Sequence, residues 1–371
     1  MSEALFAVPG RLDLATGGYE YARRLLAELA PGKATPALAH WPLPDLGLAP
    51  HEDALTETAR RLGVGPVGWP VLVDGLALGV LPAGVLSAAQ GPVVALVHHP
   101  LALEHGLEPT DAARLFESER RALAAVAAVI TTSDHTHGTL VADYGVDPSR
   151  ITVARPGIPR PRSVRPVAEA APDAGPRLLS IGTLIPRKGH DVLLRALATH
   201  RALPWTLRII GDPTRDRACA AALEQLVEDL GLSDRVTFAG VTARDEVTSA
   251  CEAADLFVLA SRHEGYGMAY AEAMAAGLPV VGCNAGAVAE ATGGGACLVP
   301  PDDIQALASA LTPLLQSPAA RSELATRGRA AASKLNDWPD TAAIVADVLT
   351  PFLPTSRGSR EALEPSTQAT P

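Results

Sequence analysis

Short apolar runs alternate with longer stretches of helical period along nearly the whole chain, the order that a parallel sheet with crossover helices requires. The pattern is α/β. In the first half it predicts strands over 5–8, 70–74, 93–98 and 128–132, and helices over 19–29, 52–62, 110–126 and 135–144. After Ile151-Thr152-Val153 it breaks, because Arg155-Pro156-Gly157-Ile158-Pro159-Arg160-Pro161 and the Pro/Ala stretch to Pro176 can continue neither a helix nor a central strand. This places a first domain over 1–155 and a linker over 156–176. A second α/β unit over 177–336 follows, with strands near 177–181, 206–210, 236–239, 256–259, 280–282 and 297–299, and helices that include 191–199, 218–230 and 268–276. A closing segment over 337–354 carries one more helix, about 341–352, after the second core is complete. The Ser-, Thr- and Pro-rich stretch 355–371 is expected to be disordered.

Length and composition sharpen this picture. The chain has 371 residues, 47% of them hydrophobic, which excludes a disordered or fibrous protein and favours two domains over one. Gly and Pro, 32 each without a fixed period, suit many βα and αβ turns. The net charge of −10 argues against general nucleic-acid binding, which needs a basic face to neutralise phosphates. Residues 1–150 hold 10 Lys and Arg against 17 Asp and Glu, so the first domain has no net charge to draw it to an anionic bilayer. No run approaches the length of an integral membrane segment and no export signal opens the chain, so the expected location is cytoplasmic. The cysteines Cys219, Cys251, Cys283 and Cys297 include no Cys-x-x-Cys pair. They read as small buried apolar side chains rather than a zinc site or disulfide framework.

Two segments carry candidate chemistry. Only three lysines occur, Lys33, Lys188 and Lys334, so the chain uses arginine almost wherever a cation suffices. Lys188 stands in Ser180-Ile181-Gly182-Thr183-Leu184-Ile185-Pro186-Arg187-Lys188-Gly189-His190-Asp191, where a strand ends at a glycine, a loop carries Arg-Lys-Gly and a helix opens on Asp191. That arrangement aims two cations and helix-terminal N–H groups at a point beyond a strand's carboxyl end, where phosphate is favoured; a solvated loop lysine is the competing reading. The second segment is His263-Glu264-Gly265-Tyr266-Gly267-Met268-Ala269-Tyr270-Ala271-Glu272. Gly265 and Gly267 allow close approach of a ligand and leave the first N–H groups of a helix from Met268 free, while Glu264 and Glu272 can face one pocket. The alternative is that Glu272 balances the helix dipole and Glu264 lies at the surface.

These segments, their order and spacing, and the runs Ile209-Ile210-Gly211-Asp212, Val236-Thr237-Phe238-Ala239-Gly240 and 254–261 between them closely resemble the retaining glycosyltransferases of family 4, densely over 177 to about 300 and more loosely before. The resemblance implies the GT-B fold, two Rossmann-like domains facing across a cleft, with a nucleotide-sugar donor held mainly by the second and an unidentified acceptor by the first. It implies that Lys188 neutralises the donor diphosphate, that Glu272 accepts hydrogen bonds from the ribose, and that Glu264 with the Gly265, Tyr266, Gly267 and Met268 backbone holds the transferred sugar. Residues just after Gly240 would border the base. Family members usually carry a second cation directly after the motif glycine; here Thr183 stands there, and Arg187 either compensates or points to solvent. Thr16-Gly17-Gly18-Tyr19-Glu20 resembles the loop over the donor phosphates. In Ala95-Leu96-Val97-His98-His99-Pro100, His98 matches the histidine near the reacting sugar, with a strand-end cap as the competing role.

The chain contains no Gly-x-Ser-x-Gly elbow, no His-Glu-x-x-His motif and no Asp-x-Asp. The resemblance implies retaining transfer of a hexosyl group from a UDP-sugar, or else a GDP-sugar, and neither metal nor cofactor is expected. A nucleotide-sugar epimerase or sugar phosphorylase on the same fold is the alternative, followed by a non-catalytic two-lobed sugar-binding protein. Glu104, His105 and the segments after Asp74 and Thr132 are candidates for the acceptor pocket because they follow strands at their carboxyl ends.

Overall fold

The computed structural model describes residues 3–14, 16–159 and 175–354; most of the expected linker and the whole expected tail lie outside the described residues. The first sheet contains β1 (Ala4–Pro9), β2 (Leu38–Leu43), β3 (Val71–Asp74), β4 (Val93–Val97), β5 (Ala128–Thr131) and β6 (Ile151–Val153). They run parallel in the order β2-β1-β3-β4-β5-β6. The second contains β7 (Arg177–Ile181), β8 (Thr206–Ile210), β9 (Val236–Phe238), β10 (Leu256–Leu259), β11 (Val280–Cys283) and β12 (Cys297–Val299), parallel in the order β12-β11-β10-β7-β8-β9.

Both sheets are covered on two faces, which is why their central strands read as unbroken apolar runs. Along β1, Leu5 and Ala7 enter one core cluster while Ala4, Phe6 and Val8 enter another. In β10, Leu256 and Val258 face one cluster, Phe257 and Leu259 the other. The strand order reverses between β1 and β3 in the first sheet and between β7 and β10 in the second. At such a switch point, successive connections leave to opposite faces and open a crevice beyond the carboxyl ends of the strands. The loops after β1, β3, β7 and β10 flank the two crevices.

The closing helix, Trp338–Leu349, returns to the first domain. It starts at a capping box between Asp337 and Asp340 and sends Trp338, Ala342, Val345 and Leu349 into the cluster shared with Phe6, Tyr21 and Leu25. Tyr21 meets Trp338 edge to face at 5.5 Å between centroids. The segment entering from 157 is fixed there too, with Ile158 N–H donating to Asn336 O at 2.8 Å.

Several expectations need correction. β2 was not foreseen, because Leu-Ala-His-Trp-Pro-Leu mixes buried and exposed positions and holds a proline; as an edge strand it tolerates both. β4 ends at Val97, so His98 and His99 both lie beyond the strand. The helix after Lys188 opens at His190, with Gly189 left-handed at its N-cap. Of the cysteines, only Cys283 is buried; the other three are partly exposed and all four are free.

Candidate active site

The two domains touch where their crevices face each other. The backbone of Gly265 lies against that of His98: a Cβ on Gly265 would fall 2.4 Å from the His98 carbonyl oxygen, so only glycine permits this approach. That same carbonyl accepts from Thr132 Oγ1 at 3.3 Å and Thr136 Oγ1 at 3.0 Å, which fixes the turn leaving β4. Opposite, a Cβ on Gly18 would stand 3.4 Å from the His98 ring and one on Gly17 would stand 3.8 Å from the Met268 sulfur. The segments containing Gly17, Gly18, His98, Gly265 and Met268, far apart in sequence, thus form one place. Three helices point their N-termini into this region without a side-chain cap, Gly17–Glu28, His190–Ala198 and Met268–Ala275. Their first N–H groups are left for a ligand.

Lys188 and Glu264 meet here. Lys188 Nζ donates to Glu264 Oε1 at 2.6 Å, and Ser261 Oγ donates to the same oxygen at 2.6 Å. Arg187 stands 3.5 Å from Glu264 Oε2. Glu264 is only 7% exposed. Burial alone would raise its carboxyl, but Lys188, Arg187 and Ser261 overcome this and hold it down to about 2. Glu264 is therefore an anion, and Lys188 is its cation.

Arg187 does not point to solvent. Its Nε donates to Glu104 Oε1 at 2.8 Å and one terminal nitrogen to His263 O at 3.0 Å. The other oxygen of Glu104 is 3.2 Å from His99 Nε2. Despite its burial, Glu104 is held down to about 2 by His99 and Arg187. Glu104, a candidate for the acceptor pocket, is thus a tie between the domains, and His105 beside it is exposed. His98 turns the other way: its ring packs edge to face on Tyr21 at 5.3 Å, and its Nε2 lies 3.5 Å from Asp74 Oδ2, with no hydrogen bond.

Glu272 and Glu264 do not share partners. Glu272 Oε1 accepts from Arg244 at 2.9 Å, and Arg244 also lies 3.7 Å from Glu20 in the first domain's first helix. Sequence reasoning missed Arg244, Glu20, Ser261 and Asp74 as partners. The available signal was the position of Arg244, four residues after Gly240. Tyr266 sends its side chain into a buried cluster with Ile158, Ala271 and Ala291, so only its backbone can face the cleft.

Residues 175–317 match the family profile described as glycosyl transferases group 1, and residues 74–161 match that of glycosyltransferase family 4. The chain belongs to the family 4, group 1 glycosyltransferases. Among relatives in that family, the D-inositol 3-phosphate glycosyltransferase 2 of Catenulispora acidiphila is 32% identical over 67% of this chain and 61% of its own length. The chain thus spans about three fifths of that relative. The MMP α-(1→4)-mannosyltransferase of Mycolicibacterium hassiacum is 28% identical over 79% of this chain and 74% of its own. Of solved structures, HepE of Anabaena in complex with UDP and glucose superposes with a TM-score of 0.75 at 20% identity, covering 94% of this chain and all of that one. The fold is GT-B, two Rossmann-like domains facing across a cleft. No helix among the described residues is long and apolar enough to cross a membrane.

Proposed function

We propose that the protein is a retaining glycosyltransferase that moves a hexosyl group from a nucleotide-diphosphate sugar, first of all a UDP-sugar, to an acceptor hydroxyl held by the first domain. The observation that carries this reading is the seating of Gly265 on the His98 carbonyl, which joins a phosphate-type loop, an uncapped helix N-terminus and a histidine at one point. The names of the relatives, a glycosyltransferase and a mannosyltransferase, support transfer, and the UDP and glucose in the similar fold support the donor class.

In this reading Lys188 and the N–H groups of the helices at His190 and Met268 receive the diphosphate, Glu272 takes the ribose hydroxyls, and Glu264 with the backbone from Gly265 to Met268 holds the sugar. His98 lies beside the anomeric carbon. The bond from that carbon to the phosphate oxygen breaks with its electron pair going to the diphosphate. The acceptor oxygen bonds to the same face, and its proton passes to the departing phosphate oxygen. Fixed cations and dipoles aimed at charge that appears only in the transition state lower this barrier. No metal is assigned a role, so a chelator should leave turnover unchanged.

The test is product analysis with donors labelled in the sugar. Transfer releases the nucleoside diphosphate and gives a glycoside whose anomeric configuration, read by proton NMR, equals that of the donor. An inverted product, or an epimerised donor without transfer, would refute the reading.

A further inference from the structure

The cradle around Lys188 has no surplus charge. Its two cations, Lys188 and Arg187, are matched by two carboxylates, Glu264 and Glu104, at 2.6 Å and 2.8 Å. Thr183, next to the glycine that ends β7, adds none. A dianionic diphosphate would meet helix dipoles there but no net positive charge.

We propose that Arg215, on the loop after β8, is the second cation of the donor diphosphate site; this rests on the donor reading above. The loops after β7 and β8 are joined directly. Gly211 packs so tightly on Gly182 that a Cβ would lie 1.9 Å from the Gly182 carbonyl oxygen, and Leu184 N–H donates to Asp212 O at 3.1 Å. Asp212 then closes a turn, its Oδ1 accepting from both Thr214 N–H and Thr214 Oγ1 at 2.7 Å, and Arg215 follows immediately. Arg215 is exposed and, among the described residues, makes no hydrogen bond or ion pair, unlike Arg187. Across the cleft stands Tyr19, directly after the Gly17-Gly18 pair, its hydroxyl donating to Pro9 O at 2.9 Å. Arg215 is the positive charge felt by that hydroxyl, against burial and the carboxylates of Asp74 and Asp45 that push it up. The contacts between the two loops therefore set Arg215 on the loop beside that of Thr183, where its guanidinium, without a partner among the described residues, is free to fork onto phosphate oxygens.

The test is titration of the folded full chain with the nucleoside diphosphate that binds among UDP, GDP and ADP, and with its parent nucleoside. Arg215→Ala should weaken the diphosphate by about tenfold or more, the scale of a charge-assisted hydrogen bond, and leave the nucleoside unchanged. Arg215→Lys should keep part of the affinity, and Thr183→Arg placed in the Arg215→Ala background should recover it. If Lys188→Met weakens the diphosphate and Arg215→Ala does not, the proposal fails and the donor reading stands. If neither matters, both fail. Equal loss of nucleoside and diphosphate in Arg215→Ala would mark a structural role and also overturn the proposal.

Discussion

Lys188 Nζ lies 2.6 Å from Glu264 Oε1, so the lysine assigned to the donor phosphates and the glutamate assigned to the sugar form one ion pair. Removing either leaves the other charged, buried and short of a partner, which typically costs about 3–5 kcal/mol. Lys188→Met should therefore destabilise the fold by that order as well as weaken nucleotide binding. Lys188→Met with Glu264→Gln should regain much of the stability and none of the nucleotide affinity. Urea unfolding of the two variants checks this; a stable Lys188→Met single variant would contradict it.

Glu272, tied to Arg244 at 2.9 Å, carries a separable prediction. If its carboxylate takes the ribose hydroxyls, the wild type should prefer a nucleoside diphosphate over its 2′-deoxy form by about 1.5–3 kcal/mol when the lost bond is to a charged group. Glu272→Gln should erase most of that preference. Discrimination that survives in the variant would move the ribose elsewhere.

His98 and His99 should separate kinetically, although not for the reason that strand alternation suggests. β4 has ended before both, and each has its own surroundings: Tyr21 and Asp74 for His98, Glu104 for His99. His98→Ala should lower kcat and kcat/KM together with little change in donor affinity, the pattern of a contact made in the transition state. His99→Ala should loosen the tie from Glu104 to Arg187 and show mainly as lost stability. If His99→Ala abolishes turnover while His98→Ala is silent, the roles are exchanged.

Stability should depend on pH through two histidines held neutral. His190, fully enclosed with Nε2 3.1 Å from Gly182 O, is pushed down to about 4 by burial and Lys188. His263 is likewise pushed down to about 4, by burial and by His99 and His135. Between about 4 and the ordinary 6.5 the unfolded chain takes up protons that the fold refuses, so stability is complete above that window and falls as the pH is lowered through it. For His190 alone the loss by pH 5 is about 2 kcal/mol. Denaturant unfolding at pH 7 and pH 5 measures it, and His190→Gln should reduce the difference. A chain equally stable at both values would show that these imidazoles are hydrated.

The central strands were legible because burial on both faces leaves an unbroken apolar signature, as in Ala4-Leu5-Phe6-Ala7-Val8. β2 was not, since an edge strand with His40 and Pro42 has neither an apolar run nor strict alternation. The loops of Lys188 and Glu264 were legible from glycines placed at strand ends. Which carboxylate each cation chooses was not: Arg187 finds Glu104 across 83 residues, and Arg244 finds Glu272 across 28. The first pairing follows from how the two domains face each other and the second from how two helices of the second domain meet, and local pattern carries no trace of either.

The most direct measurement is calorimetric titration of the wild type and of Lys188→Met with UDP, GDP and ADP. We expect one of the three to bind the wild type and to lose about 1.5–3 kcal/mol in the variant, the range for a hydrogen bond to a charged group. Failure of all three to bind the wild type, or equal binding to both proteins, would contradict a nucleotide-diphosphate donor held at Lys188.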